Sequence, residues 1–318
     1  MFIHVKFLGL SFYEPQEMGR MTAVVEGRSG TPWQYRLVMA HFVLATVRAF
    51  ETAGVPRPVG SAFVVVRLIQ NFLVFFLAVV YYRKLGLSTF AALIGVSLVA
   101  WGMTHSHYDN GMSFDTYTDN IIYLIAGLLI LSGHFVGLIP LMLLAPFNRE
   151  TSGCIPFMLL GSQLTWKPRL SAPRKAWWVF AITAVWYVAV IAGLRVHFGL
   201  RPYIVPTCGK SPILPLLIYN LSWHRTWVHL FGTLGLMPLL AVLSYRAFPR
   251  ALRAFFWAIV PLWLAVHFPC AQAAETRLFL VPQIMVFVPG ALLGLTYWHE
   301  RSRPVDAPVR PEATGISG

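Results

Sequence analysis

The chain has 318 residues, 57% of them hydrophobic and only 12% charged, where a soluble domain carries roughly 25% charged residues. At a mean hydropathy of +0.64 there is too little polar side chain to cover a water-facing surface. That excludes a soluble enzyme and a disordered protein and leaves an integral membrane protein with several spans. The 25 Lys and Arg outnumber the 12 Asp and Glu, but they lie mostly between apolar runs. Orientation in a bilayer accounts for them, and no nucleic-acid partner is expected.

Residues 1–12 are apolar but too short to span, and show no signal-peptide cleavage pattern. The segment 13–36 holds three acids and three arginines. Residues 34–54 read as a helix whose Arg36, His41, Arg48 and Glu51 suit the membrane interface better than its interior. Clear spans follow at 60–82, 85–103, 119–133, 176–197, 226–245, 254–271 and 279–298. The stretch 135–166 is too long for one helix and reads as two short segments meeting at Asn148-Arg149-Glu150, with Pro140 and Pro156 marking kinks. Residues 198–225 form a long Pro-rich loop, either a lipid-contacting lid or a surface loop packed on the bundle. The tail 299–318 is polar, Pro-rich and expected to be disordered. Cys154, Cys208 and Cys270 lack the spacing of a zinc motif or a disulfide framework.

The expected fold is therefore an all-α polytopic transmembrane bundle of about 8–10 membrane segments, some short or broken, with an interfacial amphipathic helix near the N-terminus. Residues 1–298 form one transmembrane domain, within which 13–54 are an outer loop plus the interfacial helix. Counting 135–166 as two crossings places Arg83-Lys84, the 167–175 cluster, Arg246/Arg250/Arg253 and the tail on one side, cytoplasmic by the positive-inside rule. The C-terminus is then cytoplasmic, and nine acids gather at the outer face: Glu14, Glu17, Glu26, Glu51, Asp109, Asp115, Asp119, Glu150 and Glu275.

Several of these acids lie where they could carry chemistry. Glu14 or Glu17 is suited to act as a base at the membrane surface, with Arg20, Arg28 or Arg36 holding a phosphate. The plain alternative is a solvated loop with Arg36 anchored to lipid headgroups. In 104–120, His105, His107, Asp109, Asp115 and Asp119 would accept a divalent cation, although the spacing does not require one. Asp119 could equally cap a helix. Arg149 and Glu150 sit at membrane depth, where charges are functional by default or paired for stability. Glu275 and Arg277 either touch substrate or tie two helix ends together. An intramembrane serine protease is excluded, since Gly-x-Ser-Gly occurs only at 315–318. Walker A and Gly-x-Gly-x-x-Gly phosphate loops are absent from the sequence.

The layout resembles that of polytopic GT-C-type glycosyltransferases and the uncharacterised bacterial membrane proteins related to them. Pro32-Trp33-Gln34-Tyr35-Arg36 is similar to a Pro-aromatic-x-Tyr-Arg run of that class. Asn148-Arg149-Glu150-Thr151 resembles a later Arg/Lys-Glu-Thr, and Glu275-Thr276-Arg277 a late Glu-x-Arg. The chain differs in carrying Glu where the leading acid is more usually Asp, and in lacking a large soluble domain after its last span. The resemblance implies a bacterial cytoplasmic-membrane enzyme using a polyprenyl-phosphate-linked sugar at the outer face. Its base would be Glu14, or else Glu17. Arg36, Arg149 and Arg277 would face the departing phosphate, and Asp109, Asp115, Asp119, Glu150 and Glu275 would line the same cavity. Two other classes are carried beside it: a non-catalytic subunit packed among other membrane chains, and a transporter, for which Arg67 and Glu150 are the pointers. An enzyme expects these acids to converge in space; a packing subunit expects them to pair locally.

Overall fold

A computed structural model of the chain describes residues 10–106, 112–164, 172–200 and 213–302. It is all-helical, at 84% helix and without strands among the described residues. Among the described residues five helices are long and apolar enough to cross a membrane, as an integral membrane protein requires, or six if one bent pair counts as a single span. Among the described residues two helices precede them, α1 (Leu10–Val25) and α2 (Leu37–Thr52). The spanning helix α3 (Pro58–Lys84) opens with proline, whose missing N–H has no partner to lose there, and closes on Arg83 and Lys84. Helix α4 (Thr89–His105) is capped by the Ser88 hydroxyl, which accepts the Ala91 N–H. Then come α5 (Phe114–Leu131), the short α6 (Leu138–Asn148) and α7 (Cys154–Gln163), and the long α8 (Arg174–Phe198). Helices α9 (Ile213–Ser222), α10 (His224–Leu234) and α11 (Met237–Leu243) lead to the spanning α12 (Arg250–Cys270) and α13 (Thr276–Arg301).

Helix α13 is the axis of the bundle: 89% of its apolar window is buried, against 22% for the peripheral α8. Small residues make this possible. A Cβ on Gly294 would fall 1.7 Å from Ser244 Oγ, and one on Gly102 would strike Gln283 and the Thr233 carbonyl. The helix is irregular. It starts with a 3-10 turn at Thr276–Phe279 and contains a π-turn at Gln283–Phe287. Two adjacent tyrosines of α3 answer that turn, Tyr81 donating its hydroxyl to the Met285 carbonyl at 2.9 Å and Tyr82 to that of Ile284 at 3.1 Å.

The helix directions give the bundle two unlike ends. Asp115, the Arg149–Glu150 break and Arg277 lie at one, where Arg36 and Ser113 join them. Arg83-Lys84, Arg174-Lys175, Arg250 and Arg301 mark the other, at the opposite helix termini. The 135–166 stretch is split as expected, α6 and α7 meeting at a 3-10 turn over Glu150–Gly153. Pro140 and Pro156 each fall third in their α-helices, directly behind a 3-10 turn.

Other expectations are corrected. Residues 13–25 are helix rather than loop, despite Pro15. The span expected at 226–245 is two helices bent by 71° at Gly235, whose φ of +57° suits glycine alone. Residues 213–222, read as loop, are helical, because their apolar positions pack on α12. Asp119 is no cap: α5 begins five residues before it, and Asp119 is buried mid-helix. The last helix runs on to Arg301, and the tail from 303 onward, like residues 1–9, lies outside the described residues.

Candidate functional site

Among the described residues the acid-bearing end assembles five arginines and five carboxylates from six separate stretches of chain. From α5, Asp115 and Asp119 stand four residues apart and share one helix face, as do Thr116 and Asn120. Arg36, at the start of α2, reaches across to that face. It donates through Nη1 to Asp115 Oδ2 at 2.8 Å and through Nη2 to Glu150 Oε2 at 3.2 Å. One guanidinium thus ties the N-terminal segment, α5 and the α6–α7 break together.

The break supplies the second layer. Arg149, 2% exposed, donates to Thr116 Oγ1 at 3.1 Å and lies 3.8 Å from Asp115 Oδ2. Asn148 Nδ2 donates to the Asp115 carbonyl. The Thr151 hydroxyl donates to Asp119 Oδ2 at 2.9 Å, while Tyr123 and Tyr187 donate to the carbonyls of Thr151 and Glu150. A break between two helices leaves carbonyls without helical partners, and these hydroxyls satisfy two of them.

The third layer comes from the ends of the chain. Arg277, in the first turn of α13, is paired with Glu275 at 2.7 Å and with Ser113. Glu17 and Arg20 on α1 pair at 3.2 Å. Trp33 stands among them, with the guanidinium carbons of Arg20, Arg36 and Arg277 at 4.8, 5.0 and 5.9 Å from its ring centre. A tryptophan face attracts cations without neutralising them, which lets several guanidiniums share one place.

Two groups outside the spanning helices show how the surroundings act. Burial raises the Glu17 carboxyl above its ordinary value of 4.5, the nearby Arg20 and Arg277 opposing it only in part. Burial alone would lower the Arg36 guanidinium, but Glu150 and Asp115 outweigh it and hold the group firmly charged. Arg67 differs from both. It projects from α3, is fully buried, and none of its three nitrogens has a hydrogen-bond partner. Its guanidinium lies over the rings of Tyr117 at 3.7 Å and Phe114 at 5.0 Å, within the electrostatic reach of Glu17, Asp115 and Arg277. Asn120, whose two amide atoms also lack partners, is a further orphan.

Of the residues singled out from sequence, Glu17, Arg36, Asp115, Asp119, Arg149, Glu150, Glu275 and Arg277 therefore come together. Glu14 lies one turn before Glu17 on α1, half-buried, with Oε1 lacking a partner. Asp109 lies outside the described residues. No group of three or more His, Cys, Asp or Glu suited to a metal occurs among the described residues. Trp33 was marked only as the aromatic of the Pro-aromatic-x-Tyr-Arg run, not as a platform for arginines. Tyr117 and Asn120 carried no signal of their own and emerge only once α5 is known to start at Phe114. No family model matches the chain, and no curated protein or solved structure matches it either.

Proposed function

We propose that the chain is a polytopic membrane glycosyltransferase of the bacterial cytoplasmic membrane, working at the acid–arginine cluster on a lipid-linked sugar phosphate. The basic end of the bundle is cytoplasmic in this reading, with the C-terminus, and the cluster faces outward. The observation that carries it is Arg67: a fully buried guanidinium with no hydrogen-bond acceptor. Leaving a charged donor unmatched costs at least about 1–3 kcal/mol, and an anionic group beside Arg67 and Arg277 would remove that cost. The meeting of Arg36 with Asp115 and Glu150, 79 and 114 residues away, also supports convergence over local pairing.

Transfer needs two things of the protein. The acceptor hydroxyl must lose its proton as its oxygen bonds the anomeric carbon, and Glu17 is our base: its raised affinity for a proton suits it better than an ordinary carboxylate. The bond from the anomeric carbon to the phosphate oxygen breaks with its electron pair on that oxygen. Arg67 and Arg277 would stabilise the charge that develops there, while Arg36 and Arg149 hold Asp115 and Glu150 in place.

The test is turnover of polyprenyl-phosphate-linked sugars in proteoliposomes. Glu17→Gln is expected to lower kcat by roughly 10²-fold or more, and Arg67→Met to raise KM with a smaller effect on kcat. Full turnover by both Glu14→Gln and Glu17→Gln, or none by the unaltered protein across a panel of such donors, overturns the assignment.

A further inference from the structure

At the basic end, far from the acid–arginine cluster, a cleft of about 840 Å³ opens between α7 and the first turns of α12. Phe157, Leu160 and Gly161 form one wall; Ala254, Trp257 and Ala258 form the other. The two helices touch at its floor, where a Cβ added to Gly161 would lie 3.3 Å from that of Ala254. Phe157 is 55% and Trp257 64% exposed, so the walls are apolar and open sideways. The mouth has the opposite character. Arg250 and Arg253 line it, both exposed, and the lining contains no acid.

Both arginines are anchored at their forks. Arg250 donates to the Leu164 carbonyl at 2.5 Å, and Arg253 to the carbonyls of Phe248 and Arg246 at 2.9 and 2.8 Å. A guanidinium has five N–H donors, so each keeps donors to spare. Along α12 the charges end at Arg253 and the apolar run begins. From Arg250 to Ala258 the helix rises about 12 Å, which carries the cleft from headgroup level into the acyl region. Trp257 sits between, where its ring suits the boundary, with its N–H donated to the Tyr245 hydroxyl at 2.8 Å.

We propose that this cleft binds one anionic phospholipid, its phosphate held by Arg250 and Arg253 and an acyl chain laid between Phe157 and Trp257. The charge of the rim selects the occupant. A zwitterionic lipid would bring a cation of its own to a mouth that already holds two, and inorganic phosphate would leave the apolar walls uncovered. This site is independent of the reading given to the acid–arginine cluster.

Trp257 reports on its own neighbour. The full chain is reconstituted in phosphatidylcholine bilayers holding a small fraction of dibrominated lipid, and the Trp257 signal is taken as the difference from Trp257→Phe. Brominated phosphatidylglycerol is expected to quench that signal at a lower mole fraction than brominated phosphatidylcholine. The preference should be on the order of fivefold for each arginine engaged. The Arg250→Gln/Arg253→Gln protein should quench equally with both lipids, and Arg250→Lys/Arg253→Lys should keep most of the preference. Equal quenching of the unaltered protein overturns charge selection. Absence of quenching by either lipid means that protein covers the cleft, and overturns the site itself.

Discussion

Arg36→Gln tests whether the charge cluster is enclosed or merely wet. Arg36 is 11% exposed and Asp115 9%, with their polar atoms 2.8 Å apart. Removing the guanidinium leaves Asp115 with Arg149 at 3.8 Å and takes a partner from Glu150, which is 30% exposed. Removing one member of a buried pair typically costs 3–5 kcal/mol, and the partial exposure of Glu150 points to the lower bound, about 3 kcal/mol. At roughly 2–4 °C per kcal/mol for chains of 150–250 residues, the expected fall in Tm is about 6–12 °C. Differential scanning fluorimetry of the purified protein in one detergent measures it. Arg28→Gln is the control, because its pair with Glu26 is exposed on both sides, at 68% and 47%, and such pairs contribute about 0–1 kcal/mol. Arg36→Gln/Asp115→Asn, which removes both charges, should lose less than Arg36→Gln and Asp115→Asn added together. If Arg36→Gln shifts Tm no more than Arg28→Gln does, the cluster is solvated and its charges are not enclosed.

Two further predictions follow from the same physics. Because Glu17 binds its proton more tightly folded than unfolded, the unfolded chain releases that proton first as pH rises. Stability should fall above pH 4.5 and level off above the raised folded value, and Glu17→Gln should flatten this part of a Tm-against-pH profile. Gly294→Val would drive a Cβ into Ser244 Oγ and should lower stability as over-packing does, by at least about 1–3 kcal/mol, read as a fall in Tm, with Gly294→Val/Ser244→Ala recovering part of the loss.

What could be read from the sequence is uneven, for physical reasons. Apolar runs long enough to cross a bilayer declare themselves by length, so α3, α8, α12 and α13 lie close to where hydropathy places them. The split at Arg149–Glu150 was also legible, since two charges cannot sit unattended between apolar segments. Helix α5 was not placed correctly at its start. Its first turns carry Asp115, Thr116, Thr118 and Asp119, which hydropathy reads as loop. Only pairing with Arg36 and Arg149, from elsewhere in the chain, makes those residues acceptable inside a helix. The bend at Gly235 was missed because the residues on both sides of it are apolar. The polar face of α10, with His224, Arg225 and His229, tells it apart from a spanning run only after the break is known. As for the candidate site, the sequence marks the acids and arginines but cannot say which carboxylate meets which guanidinium, because the partners stand up to 114 residues apart.

The π-turn of α13 has a consequence for that meeting. Such a turn holds one residue more than an α-turn for almost the same advance along the axis, so the stretch before it is rotated by about 100° relative to an unbroken helix. Arg277 lies on that stretch, six residues ahead of the turn, while Gly290 and Gly294, which admit Phe248 and Ser244, lie beyond it. The turn therefore acts as a phase shifter between two halves of one helix. It allows the far half to keep its small-residue face against α11 while the near half aims Arg277 at Ser113 and Trp33. The hydroxyls of Tyr81 and Tyr82 act as the detent that holds this setting.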